Sequence, residues 1–195
     1  HKRIYKTDRL GMPLIETVTY PDCFTPDELA EAGEYIRFLN RSTGKVRTGM
    51  GAAREDVNVS CEGGSRVEIK GVAHIKWIPE LSHNEAFRQY ALLNIRSKLQ
   101  KRIPDPAGWE IKTREITEKE PMFHFAPVRA ALDRGEKVMA LNLPGCRGIM
   151  SHFTQPGLIF ADEISDRLKV IACIEKPNMT HSEEIAEGNF NNLFP

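Results

Sequence analysis

The sequence predicts an α+β fold, and three observations predict it. Two runs with strand-like alternation flank a Gly-Gly turn between residues 56 and 72. Two stretches with helical apolar spacing stand on either side of them, one after Thr25 and one within Trp77 to Arg102. A Pro-Asp-Pro-Ala-Gly break at Pro104 to Gly108 is then followed by alternating strand and helix patterns. That alternation, over roughly 90 residues, reads as a small α+β domain.

Leu10 to Tyr20 (LGMPLIETVTY) is β-branched and apolar, with Gly11 and Pro13 near its start, and is expected to be a strand entered from a turn. Thr25-Pro26-Asp27-Glu28 is a capping box with Pro at the first helical position and acids in the first turn. Leu29, Ala32, Ile36 and Leu39 follow at helical spacing, and Gly44 is a stop signal.

Asp56 to Cys61 alternates Val57 and Val59 against Asp56, Asn58 and Ser60. Arg66 to Val72 alternates Val67 and Ile69 against Arg66, Glu68 and Lys70. Gly63-Gly64 between them suits a hairpin turn. A period of two puts each polar set on one face of its strand, so the hairpin is expected to present a shared charged face.

The next helix has its stripe at Tyr90, Ala91, Ile95 and Leu99, and either Pro79 or a Ser82–Glu85 capping box at its start. Pro104 to Gly108 is the strongest candidate for a domain boundary. Beyond it, strands are expected at Trp109–Ile116, Val138–Leu143 and Lys169–Ile174, with helices at Val128–Arg134 and about Ala161–Leu168.

Composition bounds the function. The 195 residues carry 27 Lys+Arg and 27 Asp+Glu, with 41% hydrophobic residues. That apolar content excludes disorder of the whole chain. Zero net charge argues against a broad electrostatic grip on nucleic acid, although Lys2-Arg3-Lys6-Arg9 and Arg96-Lys98-Lys101-Arg102 are local basic clusters. These read either as RNA phosphate contacts or as solvated faces. No apolar run approaches the roughly 20 residues of a membrane helix, and no secretory signal is present near the start. Cys23, Cys61, Cys146 and Cys173 form no C-x-x-C pair, and read as reduced thiols of a cytoplasmic protein. The chain opens with His1 rather than Met and is read as a fragment.

The sequence lacks a P-loop, G-x-S-x-G, a dinucleotide fingerprint and H-E-x-x-H. The histidines show no ligand spacing. Two features remain. Glu16 follows the apolar Met12–Ile15, where a carboxylate is costly unless it is paired, binds a cation, or faces solvent. It is either a hard oxygen ligand for magnesium or the wet side of a half-buried strand. Arg54-Glu55-Asp56-Val57-Asn58-Val59-Ser60 and Arg66-Val67-Glu68-Ile69-Lys70-Gly71 combine cations, an amide and carboxylates. They form either a phosphate- and metal-gripping face or a salt-bridged exposed sheet.

Asp8 to Asp22 (DRLGMPLIETVTYPD) resembles the segment D-R-x-G-x-P-L-x-E-I-x-T-x-P-D of the glutamyl-tRNA(Gln) amidotransferase family, in its B-type and E-type subunits. Arg54 to Ser60 resembles the family's R-x-D-x-N-x-S. Arg66 to Val72 resembles R-V-E-I-K-G-V, and Arg88-Gln89 falls where the family has R-Q. Val138 to Met150 is similar to the L-P-G-F-x-G strand of a small domain shared by the E-type subunits and bacterial-type aspartyl-tRNA synthetases, with Cys146 in place of the usual aromatic. His181-Ser182-Glu183-Glu184 resembles that domain's H-S-D-E, and the order of the two parts points to the E type.

The resemblance implies a partial mixed-sheet catalytic cradle over residues 1–104, followed by a small ferredoxin-like α+β domain over 105–195. It implies an ATP- and Mg2+-dependent ligase that phosphorylates the side-chain carboxylate of glutamate misacylated on tRNA(Gln). Ammonia from an amidase or asparaginase-like partner then displaces the phosphate. Glu16 becomes a metal-ligand candidate. Arg54, Asp56, Asn58, Glu68 and Lys70 become candidates for the nucleotide or acyl-phosphate site, with Ser60 and Arg66 as cofactor-binding candidates. The family's opening G-x-E-x-H segment and its tRNA-gripping helical tail have no counterpart here, so the chain alone is expected to be inactive. The rival reading is a non-catalytic tRNA-binding or subunit-assembly module that keeps the fold; ATP binding by the full-length subunit separates the two.

Overall fold

Thr25 starts the first helix as its pattern predicts. Its hydroxyl accepts from the Glu28 N–H at 3.2 Å, and the Glu28 carboxylate accepts from the N–H groups of Thr25 at 3.0 Å and Phe24 at 2.7 Å. The N-cap and third-position donors that a helix start leaves unpaired are thereby satisfied, and the Phe24 N–H just before the cap is held as well. The helix, α1, spans Pro26–Ser42. The computed structural model describes residues 2–4, 13–116, 125–185 and 193–194.

The described residues confirm the α+β class. In chain order they form α1, β1 (Glu55–Val59), β2 (Val67–Val72), α2 (Ile78–Arg102), β3 (Lys112–Glu115), α3 (Ala126–Asp133), β4 (Met139–Asn142), β5 (Phe153–Gln155), β6 (Leu158–Ile159) and α4 (Phe160–Ala172). The strands make three two-stranded sheets, β1-β2, β3-β4 and β5-β6. The chain divides into two compact units, residues 1–57 with 70–80, and residues 58–69 with 81–195. Pro104 to Gly108 lies inside the second unit.

In the first unit, Leu29, Ala32 and Ile36 of α1 are half-buried, and α1 lies against the short helical turn Ile75–Trp77. Gly33 brings α1 close to its neighbours: a Cβ there would stand 3.5 Å from both Glu55 Oε2 and Ile78 Cδ1. The strand expected over Leu10–Tyr20 is not formed in its described part. Residues 13–20 carry no regular structure and are exposed, and Leu10 to Met12 lie outside the described residues. β-branched composition favours a strand only where a neighbouring strand and a buried face support it, and Ile15 and Val18 stay about four-fifths exposed.

In the second unit, α2 buries Ser82, Gln89, Ala91 and Ile95, whereas Tyr90, expected in the stripe, is 61% exposed. The helix starts at Ile78, so Pro79 sits in its first turn, where a missing N–H costs nothing. β3 and β4 pair antiparallel from Lys112↔Asn142 to Glu115↔Met139. Ile116, Ala140 and Leu193 form a core there, with Val138 and Phe194 against it.

Lys169–Ile174 is helical through Ala172, not a strand. Cys173 takes a left-handed conformation (φ 56°) and donates its N–H to the Leu168 carbonyl, which closes α4. The run of β-branched residues suggests a strand, but the helical hydrogen bonds already in progress carry through it.

Candidate functional site

The β1-β2 hairpin carries most of the predicted residues. Its alternation is as expected: Val57 is buried, Val59, Val67 and Ile69 are half-buried, and Asp56, Asn58, Ser60, Arg66, Glu68 and Lys70 are exposed. Gly71 then breaks the phase. It sits at φ 72°, where L side chains are strained, and the next residue inward is Val72, 5% exposed. The turn closes with Gly64 donating its N–H to the Cys61 carbonyl at 2.9 Å.

Residues 54–57 and 70–72 belong to the first unit. There the Asp56 Oδ1 accepts from the Gly71 N–H at 2.8 Å. Lys70 Nζ lies 3.7 Å from Asp56 Oδ2, and Arg54 Nε lies 4.0 Å from Oδ1. The Gly71 N–H, with Arg54 and Lys70 beside it, holds the Asp56 carboxyl below the usual aspartate range. Asp56 is therefore an anchored carboxylate between two cations. Its neighbour Glu55 points the other way. Its Oε2 is buried with no hydrogen-bond partner among the described residues, and burial pushes its carboxyl up against the opposing pull of Arg37.

Residues 58–69 belong to the second unit. Arg66 donates from Nη1 to Asn58 Oδ1 at 2.6 Å across the strands. Ser60 is exposed just beyond β1, and Glu68 is exposed on β2. The pattern thus pairs Asp56 with Lys70 and Asn58 with Arg66.

Glu16 is exposed in its irregular segment. Among the described residues no three His, Cys, Asp or Glu side chains gather to hold a metal ion. A hollow of about 640 Å3 runs along α1 beside Glu31, Tyr35, Phe38 and Arg41. Another, of about 350 Å3, lies among Asp162, Ser165, Lys176 and His181. Neither is lined by hairpin residues.

Three polar contacts in this region were not assigned from the sequence. The Gly71 N–H is one, and its signal was a glycine inside a strand pattern. Gln89 is another: its buried amide reaches the hairpin backbone at Val59 and Cys61. The third is Glu163 of α4, which accepts from Arg88 Nε and Nη2, both at 2.7 Å. The Arg88 hydrogen bonds hold the Glu163 carboxyl below the usual range despite its burial. The two parts of the small-domain resemblance also meet. Glu183 accepts from the Gly148 N–H and, at 2.9 Å, from the Ser151 N–H. Burial opposes its ionisation, but these bonds outweigh it and hold the carboxyl low.

Among the described residues no helix is long and apolar enough to cross a membrane. The family profile described as "GatB/GatE catalytic domain" matches residues 1–133. The chain is 37% identical over 182 residues to the E subunit of the glutamyl-tRNA(Gln) amidotransferase of Pyrobaculum aerophilum, covering 93% of this chain and 29% of that protein. The corresponding E subunit of Pyrococcus furiosus is 36% identical over 182 residues, 93% of this chain and 28% of that protein. That of Thermococcus sibiricus is 36% identical over 188 residues, 94% of this chain and 30% of that protein. The chain therefore spans about three-tenths of the length of these curated relatives. A match over more than half the chain, in order through the hairpin, places the chain in the GatB/GatE catalytic-domain family.

Proposed function

We propose that this chain is part of the subunit of a tRNA-dependent amidotransferase that activates the side-chain carboxylate of Glu-tRNA(Gln) with ATP. The observation that carries the reading is the placement of Asp56 between Arg54 and Lys70, at motif positions of a chain that belongs to this family.

In this reaction a carboxylate oxygen of the glutamyl group attacks the γ-phosphorus, the bond to the bridging oxygen breaks, and ADP leaves. Ammonia then attacks the acyl carbon, inorganic phosphate leaves with the electron pair, and a proton is lost to give the amide. Phosphoryl transfer needs positioned positive charge more than covalent help from the protein. Arg54 and Lys70 supply that charge, and Asp56, tied to the Gly71 N–H, holds both cations in place. Asn58 and Arg66 form a second polar pair, with Ser60 and Glu68 as further polar groups of the same hairpin. Glu16 is proposed as one magnesium ligand, which is not sufficient by itself. Residues 1–104 are proposed as part of a catalytic cradle and 105–195 as a small inserted domain. The ammonia is proposed to come from an amidase or asparaginase-like partner, in the cytoplasm.

One observation favours the rival reading, a module that binds tRNA or partner subunits without chemistry: the hollows beside α1 and His181 do not involve the hairpin. Lys70→Ala and Glu16→Gln in the full-length subunit, assembled with its partner, test the choice. Each is expected to lower ATP-dependent amidation at least about tenfold, the loss of one charged contact in a transition state. Wild-type rates in both variants would refute these residue assignments, and a full-length wild-type subunit that binds no ATP in calorimetry would favour the module.

A further inference from the structure

We propose that Gln89 is a positioning residue for the hairpin: its side-chain amide clasps the backbone on both sides of Ser60 and thereby sets how Asn58, Ser60 and Arg66 are presented. The proposal rests on the reading above, because the clasp matters to the reaction only if the hairpin carries it.

A two-stranded hairpin is marginal in water without outside support. Gln89 provides that support from α2. Its Oε1 accepts from the Cys61 N–H at 2.9 Å, and its Nε2 donates to the Val59 carbonyl at 3.0 Å. The second Nε2 hydrogen goes to Glu85 Oε1, also at 3.0 Å. Both amide donors are thus used, and the side chain is locked in one orientation. Gln89 is only 5% exposed, so these bonds form where water does not compete.

The fit is close. A Cβ on Gly64 would stand 2.8 Å from Gln89 Oε1 and 3.2 Å from the Cys61 carbonyl, so the turn must carry glycine for the clasp to close. Cys61 is further held by its Sγ donating to the Ala86 carbonyl at 3.5 Å. Glu85 is itself 3.5 Å from Arg88, which Glu163 grips through two hydrogen bonds. The backbone beside Ser60 is therefore tied through one amide to an ion-pair network on two helices.

The test uses the full-length subunit assembled with its ammonia-supplying partner. Gln89→Glu is nearly isosteric. An oxygen in place of Nε2 would face the Val59 carbonyl and the Glu85 carboxylate with no proton to offer, and that repulsion drives the side chain off the hairpin, so that the Cys61 N–H loses its acceptor too. Gly64→Ala attacks the clasp from the other side, and carries the same expectation should Gln89→Glu fail to fold. Hydrogen exchange at the Cys61 amide is expected to accelerate at least about tenfold, and the KM for ATP to rise about tenfold with kcat within about threefold. Wild-type exchange at Cys61 overturns the proposal. So does a kcat loss with unchanged KM, which marks a merely structural role. Faster exchange with wild-type KM overturns it too, provided Arg66→Ala raises KM. Wild-type kinetics in Arg66→Ala as well would bring down the underlying reading, and the clasp's role with it.

Discussion

Helix α1 carries the clearer sequence signature of the two long helices: a full capping box, Pro at its first position, acids in its first turn and a regular apolar stripe. Yet none of its residues is buried, and Tyr35 and Phe38 are 60% and 64% exposed. Helix α2 has an ambiguous start and polar residues scattered through its length, yet Ser82, Gln89, Ala91 and Ile95 are each at most 5% exposed. The difference teaches that local signals decide whether a helix forms, and that packing partners decide what it is worth. Caps and propensities contribute about 1 kcal/mol at a time, whereas a buried aliphatic side chain contributes several.

The largest test of this contrast is Ile95→Ala, which removes a side chain that is 2% exposed. It should cost about 3 kcal/mol in urea denaturation, the usual toll of a large-to-small change in a core. A cost no greater than that of a surface substitution would abolish the contrast.

Glu163→Gln comes next. It leaves Arg88 facing a neutral amide in a setting where the two side chains are 20% and 13% exposed, and about 2 kcal/mol should be lost. The pair also makes stability depend on pH. Because Arg88 lowers the folded-state value of Glu163, the ionised carboxylate binds the folded chain more strongly than the protonated one. That contribution is fully present above the ordinary glutamate range of about pH 4–5, and is lost as the pH falls through the lower folded value. The Gln variant should show a shallower loss of stability below about pH 4 than the wild type.

Thr25→Ala should cost about 1 kcal/mol, because it removes the acceptor for the Glu28 N–H while leaving the Pro start intact. Hydrogen exchange in the first turn of α1 reads this directly, and only α1 amides should respond. The smallest effect is expected for Phe38→Ala, within about 0.5 kcal/mol on an exposed face. A cost in the assembled subunit several times that in the isolated chain would mean that something covers α1 there, and would sharpen the contrast from the other side.

Much of the hairpin is legible in the sequence, for a physical reason. Alternation with a period of two is local, so Val57, Val59, Val67 and Ile69 turning inward against Asp56, Asn58, Glu68 and Lys70 can be read from spacing. Which partners meet, Asp56 with Lys70 and Asn58 with Arg66, is a matter of register that the alternation does not fix. The clasp at Gln89 cannot be read that way, because the residue lies 28 and 30 positions from its backbone partners and resembles an ordinary helix surface residue. The Lys169–Ile174 run misleads for a related reason: its β-branched residues favour a strand locally, while α4 is already propagating into them.

The sequence by itself determined the α+β class, the capped start of α1, the hairpin with its polar face, and the family to which these residues belong. Each of these is written in contacts between near neighbours or in motif order. Only the tertiary structure decided that Tyr20's segment stays irregular over residues 13–20, that α4 runs to Ala172, that Gly71 hands its N–H to Asp56, and that Arg88 meets Glu163 75 residues away. Those outcomes depend on which groups are brought out of water together, and burial belongs to the folded chain as a whole rather than to any window of it.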